Sequence, residues 1–227
     1  MISEMMERLQ EVLIFLFLAI FPKATGFKPC TKDSTSIDVG SAYCLSWRLG
    51  VEANNVRAWR TVPAQCFRYV ETYMIGGQYD RDIGLIVEQI LSYANQIYLS
   101  DDGMDAWILD VDDTCISNLL YYRGKRYGLV QRGFKVFLLT GRDQETLGQA
   151  TLDNLQYQGF IGYERLILRT AAYKGQSAVT YKSQIRKQLE EEGYRVWGNV
   201  GDQWSDLQGE YLGNRTFKLP NPMYFVP

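Results

Sequence analysis

The chain has 227 residues, 24 of them basic and 26 acidic, for a net charge of −2, and it contains no histidine. Without imidazole there is no Ser-His-Asp triad, no Cys-His pair, no phosphohistidine intermediate and no His-bearing zinc site. The balanced charge is not the footprint of a nucleic-acid binder, and 46% hydrophobic with 22% charged residues describes an ordinary globular chain able to bury a core.

Val12 to Phe21 is an uncharged apolar run of 10 residues, preceded by Arg8 and followed by the small residues Ala24-Thr25-Gly26. That is the layout of a secretory signal peptide over residues 1–26, and the run is too short to span a bilayer. Glu4, Glu7 and Glu11 outnumber Arg8, which keeps an uncleaved anchor or a buried helix as the competing reading. No stable membrane span is expected after cleavage.

Secretion changes how the cysteines read. In an oxidising compartment Cys44 and Cys66 are the favoured pair, because they bracket one short segment. Three connectivities pair all four cysteines, and the sequence does not choose among them. Cys30 and Cys115 receive no assignment. Asn214-Arg215-Thr216 is one N-glycosylation acceptor.

Residues 27–50 are polar and Gly/Ser-bearing and read as a loosely structured lead-in. A helical stretch follows around residues 63–74. Ile83, Ile86, Val87, Ile90, Leu91, Ala94, Ile97 and Tyr98 then recur at spacings of three and four, the stripe of an amphipathic helix with Asp80 or Asp82 near its start. From residue 105 the period changes. Short apolar runs at 106–109, 136–139, 166–168 and 195–200 predict strands. Helical patterns separate the second from the third (Leu147, Ala150, Leu155) and the third from the fourth (Ala178, Tyr181, Ile185, Leu189). Strands alternating with helices predict an α/β fold with a parallel sheet covered by helices. The expected division is a mainly helical region over 27–104 and a core over 105–227.

Parallel sheets place their chemistry at the carboxyl ends of the strands. The first predicted strand ends in Asp110-Val-Asp112-Asp-Thr114, the second in Thr140-Gly-Arg142, the fourth in Gly201-Asp202-Gln-Trp-Ser-Asp206. Asp110 and Asp112 are two residues apart, so their side chains start on one face. With Asp202 and Asp206 they make a negative cluster that is costly unless a cation offsets it. Hard oxygen ligands favour Mg²⁺, which sits among carboxylates and substrate phosphate. One Asp can then attack phosphorus and carry an aspartyl-phosphate, while a second protonates the leaving oxygen and activates water. A Thr140 hydroxyl and a lysine ammonium would hold the phosphoryl oxygens; Lys182 is a candidate, and Lys174 an equally weak one. Each fragment alone is a common turn or cap. Their order at successive strand ends is what carries information.

Asp110-Val-Asp-Asp-Thr114, Leu139-Thr-Gly-Arg142, Tyr181-Lys-Ser183 and Gly201-Asp-Gln-Trp-Ser-Asp206 resemble the four motifs of the haloacid dehalogenase superfamily. Cys44-Leu-Ser-Trp-Arg48, Val51-Glu-Ala-Asn-Asn55, Val62-Pro-Ala-Gln-Cys66 and Phe217-Lys-Leu-Pro-Asn-Pro-Met-Tyr224 are similar to plant class B acid phosphatases and vegetative storage proteins. The resemblance covers roughly residues 42–227. It implies a Rossmann-like three-layer α/β/α core with an N-terminal helical extension, Mg²⁺ as cofactor, and hydrolysis of small phosphate monoesters at acid pH in a secreted or vacuolar location. By position, Asp110 is then the nucleophile and Asp112 the general acid/base, Thr140 and Lys182 bind phosphate, and Asp202 and Asp206 complete the metal set with Asp110 and Asp112. A homodimer is an open expectation. The competing class is a catalytically impaired storage protein or truncated isoform.

One departure from that pattern is large. Family members carry a longer stretch between the first two motifs, with a flap, a cap segment and the crossover helix; here only residues 115–134 are present. These 20 residues include Gly124, Gly128 and Gly133, which leave no room for a three-turn amphipathic helix. Loss of a helix covering about 400 Å² of apolar surface would cost about 10 kcal/mol, comparable to a domain's stability. The cap is therefore expected to be largely absent, one patch of the sheet uncovered, and folding or turnover impaired.

Overall fold

The computed structural model describes residues 39–57, 59–116 and 128–227. The expected signal peptide and Cys30 lie outside them. Five parallel strands form one sheet: β1 (Asp105–Leu109), β2 (Lys135–Asp143), β3 (Arg165–Arg169), β4 (Arg195–Gly201) and β5 (Arg215–Lys218), in the order β3-β2-β1-β4-β5. β1 is central and pairs with β2 on one side and β4 on the other. This is the helix-covered α/β architecture of the haloacid dehalogenase-like type.

The two faces of the sheet follow from period-two alternation along the strands. Trp107, Leu109, Val136, Leu138, Val200 and Phe217 point to one face, Ala106, Ile108, Phe137, Leu139 and Val196 to the other. The first face is packed by helix α3 (Gln78–Ala94), whose Ile83, Val87, Ile90 and Ala94 are buried as their spacing predicts. Leu155 of α5 (Gln144–Tyr157) joins them. The second face is packed by α6 (Ala178–Glu191) through Tyr181, Ile185 and Leu189. Both α5 and α6 begin on a side-chain cap: Asp143 accepts from the Thr146 N–H and Ser177 from the Thr180 N–H. Trp107, fully buried, sits on the strand beside Gly198, where any Cβ would overlap its indole ring.

The lead-in expected over residues 27–50 is instead helical from Val39: α1 spans Val39–Glu52. Its glycines and serines conceal a face made by Cys44, Trp47 and Val51, which pack with Val62, Cys66 and Val70 into a small core of their own. The Cys44–Cys66 disulfide lies inside that core and ties α1 to the start of α2 (Phe67–Ile75). Cys115 is a buried free thiol.

The expected uncovered patch of sheet is not found on β2. Val136 and Leu138 are buried. Between the described residues on either side of the shortened connection, one turn of helix, α4 (Gly128–Gln131), inserts Leu129 into the core. Phe160, at the end of α5, also packs there. A narrow apolar cleft remains between α3, α4 and the loop after α5, with Leu91, Val130 and Ile161 on its walls. Leu129 and Phe160 thus pack on this part of the sheet, where Leu109 and Val136 also line the cleft.

At the amino ends of β1 and β4 a second charged group fixes the sheet. Asp105 Oδ1 accepts from Trp197 Nε1 at 2.7 Å and from Arg195 Nε at 3.0 Å, and Oδ2 from the Ser100 N–H at 2.7 Å. The same Arg195 grips Asp102 with both terminal nitrogens. Burial works against the Asp105 carboxylate, but those hydrogen bonds outweigh it and hold it below the usual carboxylate range. Asp102 is pulled to about 2 by Arg195 and the Met104 N–H. Groups with a lowered folded pKa stabilise fully above the unfolded value near 4 and lose that contribution as pH falls through the folded one. Asp105→Ala should therefore cost about 3 kcal/mol near neutrality and progressively less as pH falls below about 4. Thermal melts between pH 2.5 and 6 read this; a constant gap between variant and wild type would contradict it.

Candidate active site

The carboxyl edge of the sheet gathers the predicted residues. Asp110 follows β1, its N–H donating to the Val200 carbonyl at 2.9 Å. Thr140 and Arg142 belong to the end of β2. Asp202 and Asp206 follow β4, and Lys182 reaches the same edge from α6. Asp110, Thr140, Lys182, Asp202 and Asp206 are all buried.

Carboxylate oxygens of Asp110, Asp202 and Asp206 lie within 4.8 Å of one another. The Lys182 ammonium donates to Asp110 Oδ1 at 2.5 Å and to Asp206 Oδ1 at 2.6 Å. Three buried carboxylates facing one ammonium leave an uncompensated negative charge. Burial pushes the Asp110 carboxyl well up; Lys182 opposes this, and Asp206 and Asp202 add to it. Burial and then the Asp206 charge raise Asp202 to about 6, against hydrogen bonds from Asn221 and Gln203. For Lys182 burial works downward, but Asp110 and Asp206 outweigh it and hold it above the ordinary lysine value. The donor set is all oxygen, anionic and buried, which suits a hard divalent cation such as Mg²⁺.

Asp112 stands apart from this trio. Expected among the metal ligands, its side chain is instead gripped by Arg142, whose Nε lies 3.0 Å from each of its oxygens and whose Nη2 lies 2.5 Å from Oδ1. The guanidinium is braced from behind by Thr151 Oγ1 at 3.1 Å. Thr140 Oγ1 donates to Asp112 Oδ2 at 3.3 Å and accepts from the Arg142 N–H at 3.1 Å. Two residues of separation do start Asp110 and Asp112 toward one cleft, but Asp110 is locked to Lys182 and Asp112 to Arg142. The pair is thereby split into a buried group and a half-exposed one.

Other partners have no short-range sequence signal. Asp202 accepts from Asn221 Nδ2 at 2.7 Å, Gln203 Nε2 at 2.8 Å and Thr114 Oγ1 at 3.2 Å. Asn221 is itself held by α1: its N–H donates to Glu52 Oε1 at 2.9 Å, and Lys218 Nζ lies 2.8 Å from Glu52 Oε2. Asp206 is fixed by the Gln203 N–H on Oδ2 and by Asn199 and Arg186 on its carbonyl. Gly201 allows the close return, since any Cβ there would overlap the Asp206 carboxylate. Asp113 has a left-handed backbone, φ 49°, and accepts from the Tyr224 hydroxyl. Proximity in the folded chain, not spacing, brings these groups together. The one available hint was the C-terminal string that includes Asn221 and Tyr224.

The site opens into a cleft of about 510 Å³ lined by Asp110, Asp112, Lys182, Tyr224 and Arg169. Lys174 does not line it, which separates it from Lys182. Cys115, behind Asp110, is pushed up by burial and by the Asp110 and Asp112 charges. Asn214 is exposed. No helix among the described residues is long and apolar enough to cross a membrane.

Comparison with known proteins points the same way. A family profile described as HAD superfamily, subfamily IIIB (Acid phosphatase) matches residues 31–131 and 128–227. Its two pieces meet within α4, as a connection shortened between Asp112 and Thr140 requires. The chain is similar to acid phosphatase 1 of Solanum lycopersicum, 42% identical with 81% of this chain and 83% of the relative covered. It is also similar to vegetative storage protein 2 of Arabidopsis thaliana (35%, covering 86% and 84%) and to a stem 31 kDa glycoprotein of Glycine max (35%, covering 81% and 83%). A profile that spans nearly all of the chain, over a fold whose strand ends carry its acids, leaves one assignment: the chain belongs to the HAD superfamily, subfamily IIIB (Acid phosphatase).

Proposed function

We propose that this chain hydrolyses small phosphate monoesters through an aspartyl-phosphate on Asp110, with Mg²⁺ bound at Asp110, Asp202 and Asp206. The observation that carries the proposal is the buried trio of carboxylates held against one ammonium at the end of β1. When bound, Mg²⁺ would offset that charge and draw electron density from a phosphoryl oxygen.

The chain's own groups supply the rest. An Asp110 oxygen attacks phosphorus, and the P–O bond to the leaving alcohol breaks. Asp112, at the cleft and oriented by Arg142 and Thr140, delivers the proton to the leaving oxygen. It then takes a proton from the water that opens the aspartyl-phosphate, releasing orthophosphate and restoring Asp110. Lys182 has three N–H donors and spends two on Asp110 and Asp206, leaving the third for a phosphoryl oxygen. The Thr140 hydroxyl is placed to turn from Asp112 to a second phosphoryl oxygen.

A second reading is a storage-type protein with a silent site. It is favoured by the similarity to vegetative storage proteins together with the shortened connection. Secretion or vacuolar delivery fits both readings. Turnover of p-nitrophenyl phosphate at pH 5 with Mg²⁺ decides between them: the first requires turnover that a chelator abolishes and Mg²⁺ restores, and a well-folded chain without turnover supports the second.

A further inference from the structure

The cleft holds one cation that the proposed reaction leaves unused. Arg169 ends β3 and lines the same cleft as Asp110 and Lys182. Its Nη2 stands 4.0 Å from the point where a Cβ on Gly141 would lie, one residue beyond Thr140. It is pre-oriented: the guanidinium carbon sits 4.7 Å from the centre of the buried Tyr181 ring, and Nη1 donates to the Gln176 carbonyl at 3.2 Å. Yet Arg169 forms no ion pair among the described residues, and its buried Nε has no hydrogen-bond partner. Asp143, its partner in the sheet register, turns its carboxylate to the Thr146 N–H as a helix cap.

The other arginines of the core account for their charge or their donors. Arg142 is matched by Asp112, Arg195 by Asp102 and Asp105, and Arg165 by Glu192. Arg186 has no carboxylate partner, but three carbonyls and Ser183 consume its nitrogens, and it faces the interior. Among the described residues, only Arg169 combines a fixed orientation, an unmatched charge and a place on the cleft wall. An Arg fork held this way is suited to a planar or tetrahedral anion.

We infer that Arg169 is a specificity-determining residue that binds a second anionic group of the substrate, so that the preferred substrates are phosphate monoesters carrying a further carboxylate or phosphate a few bonds from the reacting phosphorus. The inference rests on the proposed phosphatase reading. The test uses two phosphonates that no phosphatase cleaves, so that binding is read whether or not the chain turns over. Propylphosphonate and 3-phosphonopropionate differ only in a terminal carboxylate.

In calorimetric titrations of the full chain with Mg²⁺, 3-phosphonopropionate should bind about tenfold tighter, the size of one charge-assisted pair. Arg169→Gln should erase that preference and leave propylphosphonate affinity within about twofold. Arg169→Met, which keeps an apolar stem over Tyr181, should do the same, so the result does not depend on how one variant folds. No preference in the wild type, or a preference that survives in both variants, overturns the inference alone. Failure of both phosphonates to bind overturns the phosphate site and the inference with it.

Discussion

Asp110→Asn is expected to lower p-nitrophenyl phosphate turnover by about 10⁴-fold or more while leaving the melting temperature unchanged or higher. The first half follows from the nucleophile's role: an amide cannot form the acyl phosphate, and loss of a covalent catalyst removes several kcal/mol of transition-state stabilisation. The second half follows from the charges. In the metal-free protein the Asp110 carboxylate is disfavoured by burial, with Lys182 in its favour and Asp206 and Asp202 against it. An amide of nearly the same shape removes one of three mutually repelling charges, and Lys182 keeps its bond to Asp206. Activity and stability should then move independently, which a merely misfolded variant would not show. Retention of more than about 1% of turnover would place the nucleophile elsewhere. A wild type without turnover, with Asp110→Asn altering only stability, would favour the storage-type reading.

Lys182→Met should have the opposite stability signature. It removes the one cation that touches both Asp110 and Asp206. Leaving buried charges without their partner costs about 3–5 kcal/mol, roughly 10 °C of melting temperature for a domain of this size. Turnover should fall by about 10²–10³, the cost of losing one preorganised donor to the phosphoryl group. Mg²⁺ provides the control. Because the metal and the ammonium offset the same carboxylates, Mg²⁺ should raise the melting temperature of Lys182→Met more than that of the wild type. An unchanged melt in the metal-free variant would mean that the three acids tolerate one another without Lys182.

These two predictions depend on different amounts of information in the chain. Asp110, Thr140 and Asp202 were legible because a parallel sheet puts the end of every strand at one edge, and the apolar runs marked those ends. Their partners were not. Nothing in the spacing of Asp112 and Arg142 says that a guanidinium will hold the second acid apart from the carboxylate trio. That depends on β2 continuing through Asp143, beyond the apolar run that marked it. β5 escaped notice because it is four residues long with a single buried side chain, Phe217. α1 did so because its buried face is only Cys44, Trp47 and Val51, stabilised by a covalent bond and local packing against a weak propensity. The shortened connection was visible as a count of residues. The burial of Val136 and Leu138 was not, because Leu129 and Phe160 come from flanking segments that show no helical period long enough to register.

The bridge from Glu52 to Asn221 and on to Asp202 alters which part of the chain builds the carboxylate site. The sequence suggests a clean seam near residue 105, where helices give way to alternating strands. Yet one wall of the carboxylate trio is positioned by a side chain of the first described helix, and that helix is stapled by Cys44 and Cys66. The seam is a change of rhythm and not a modular joint. A gene rearrangement that shuffled the strand region without the leading helix would carry Asp110, Lys182, Asp202 and Asp206 and lose the support under Asp202.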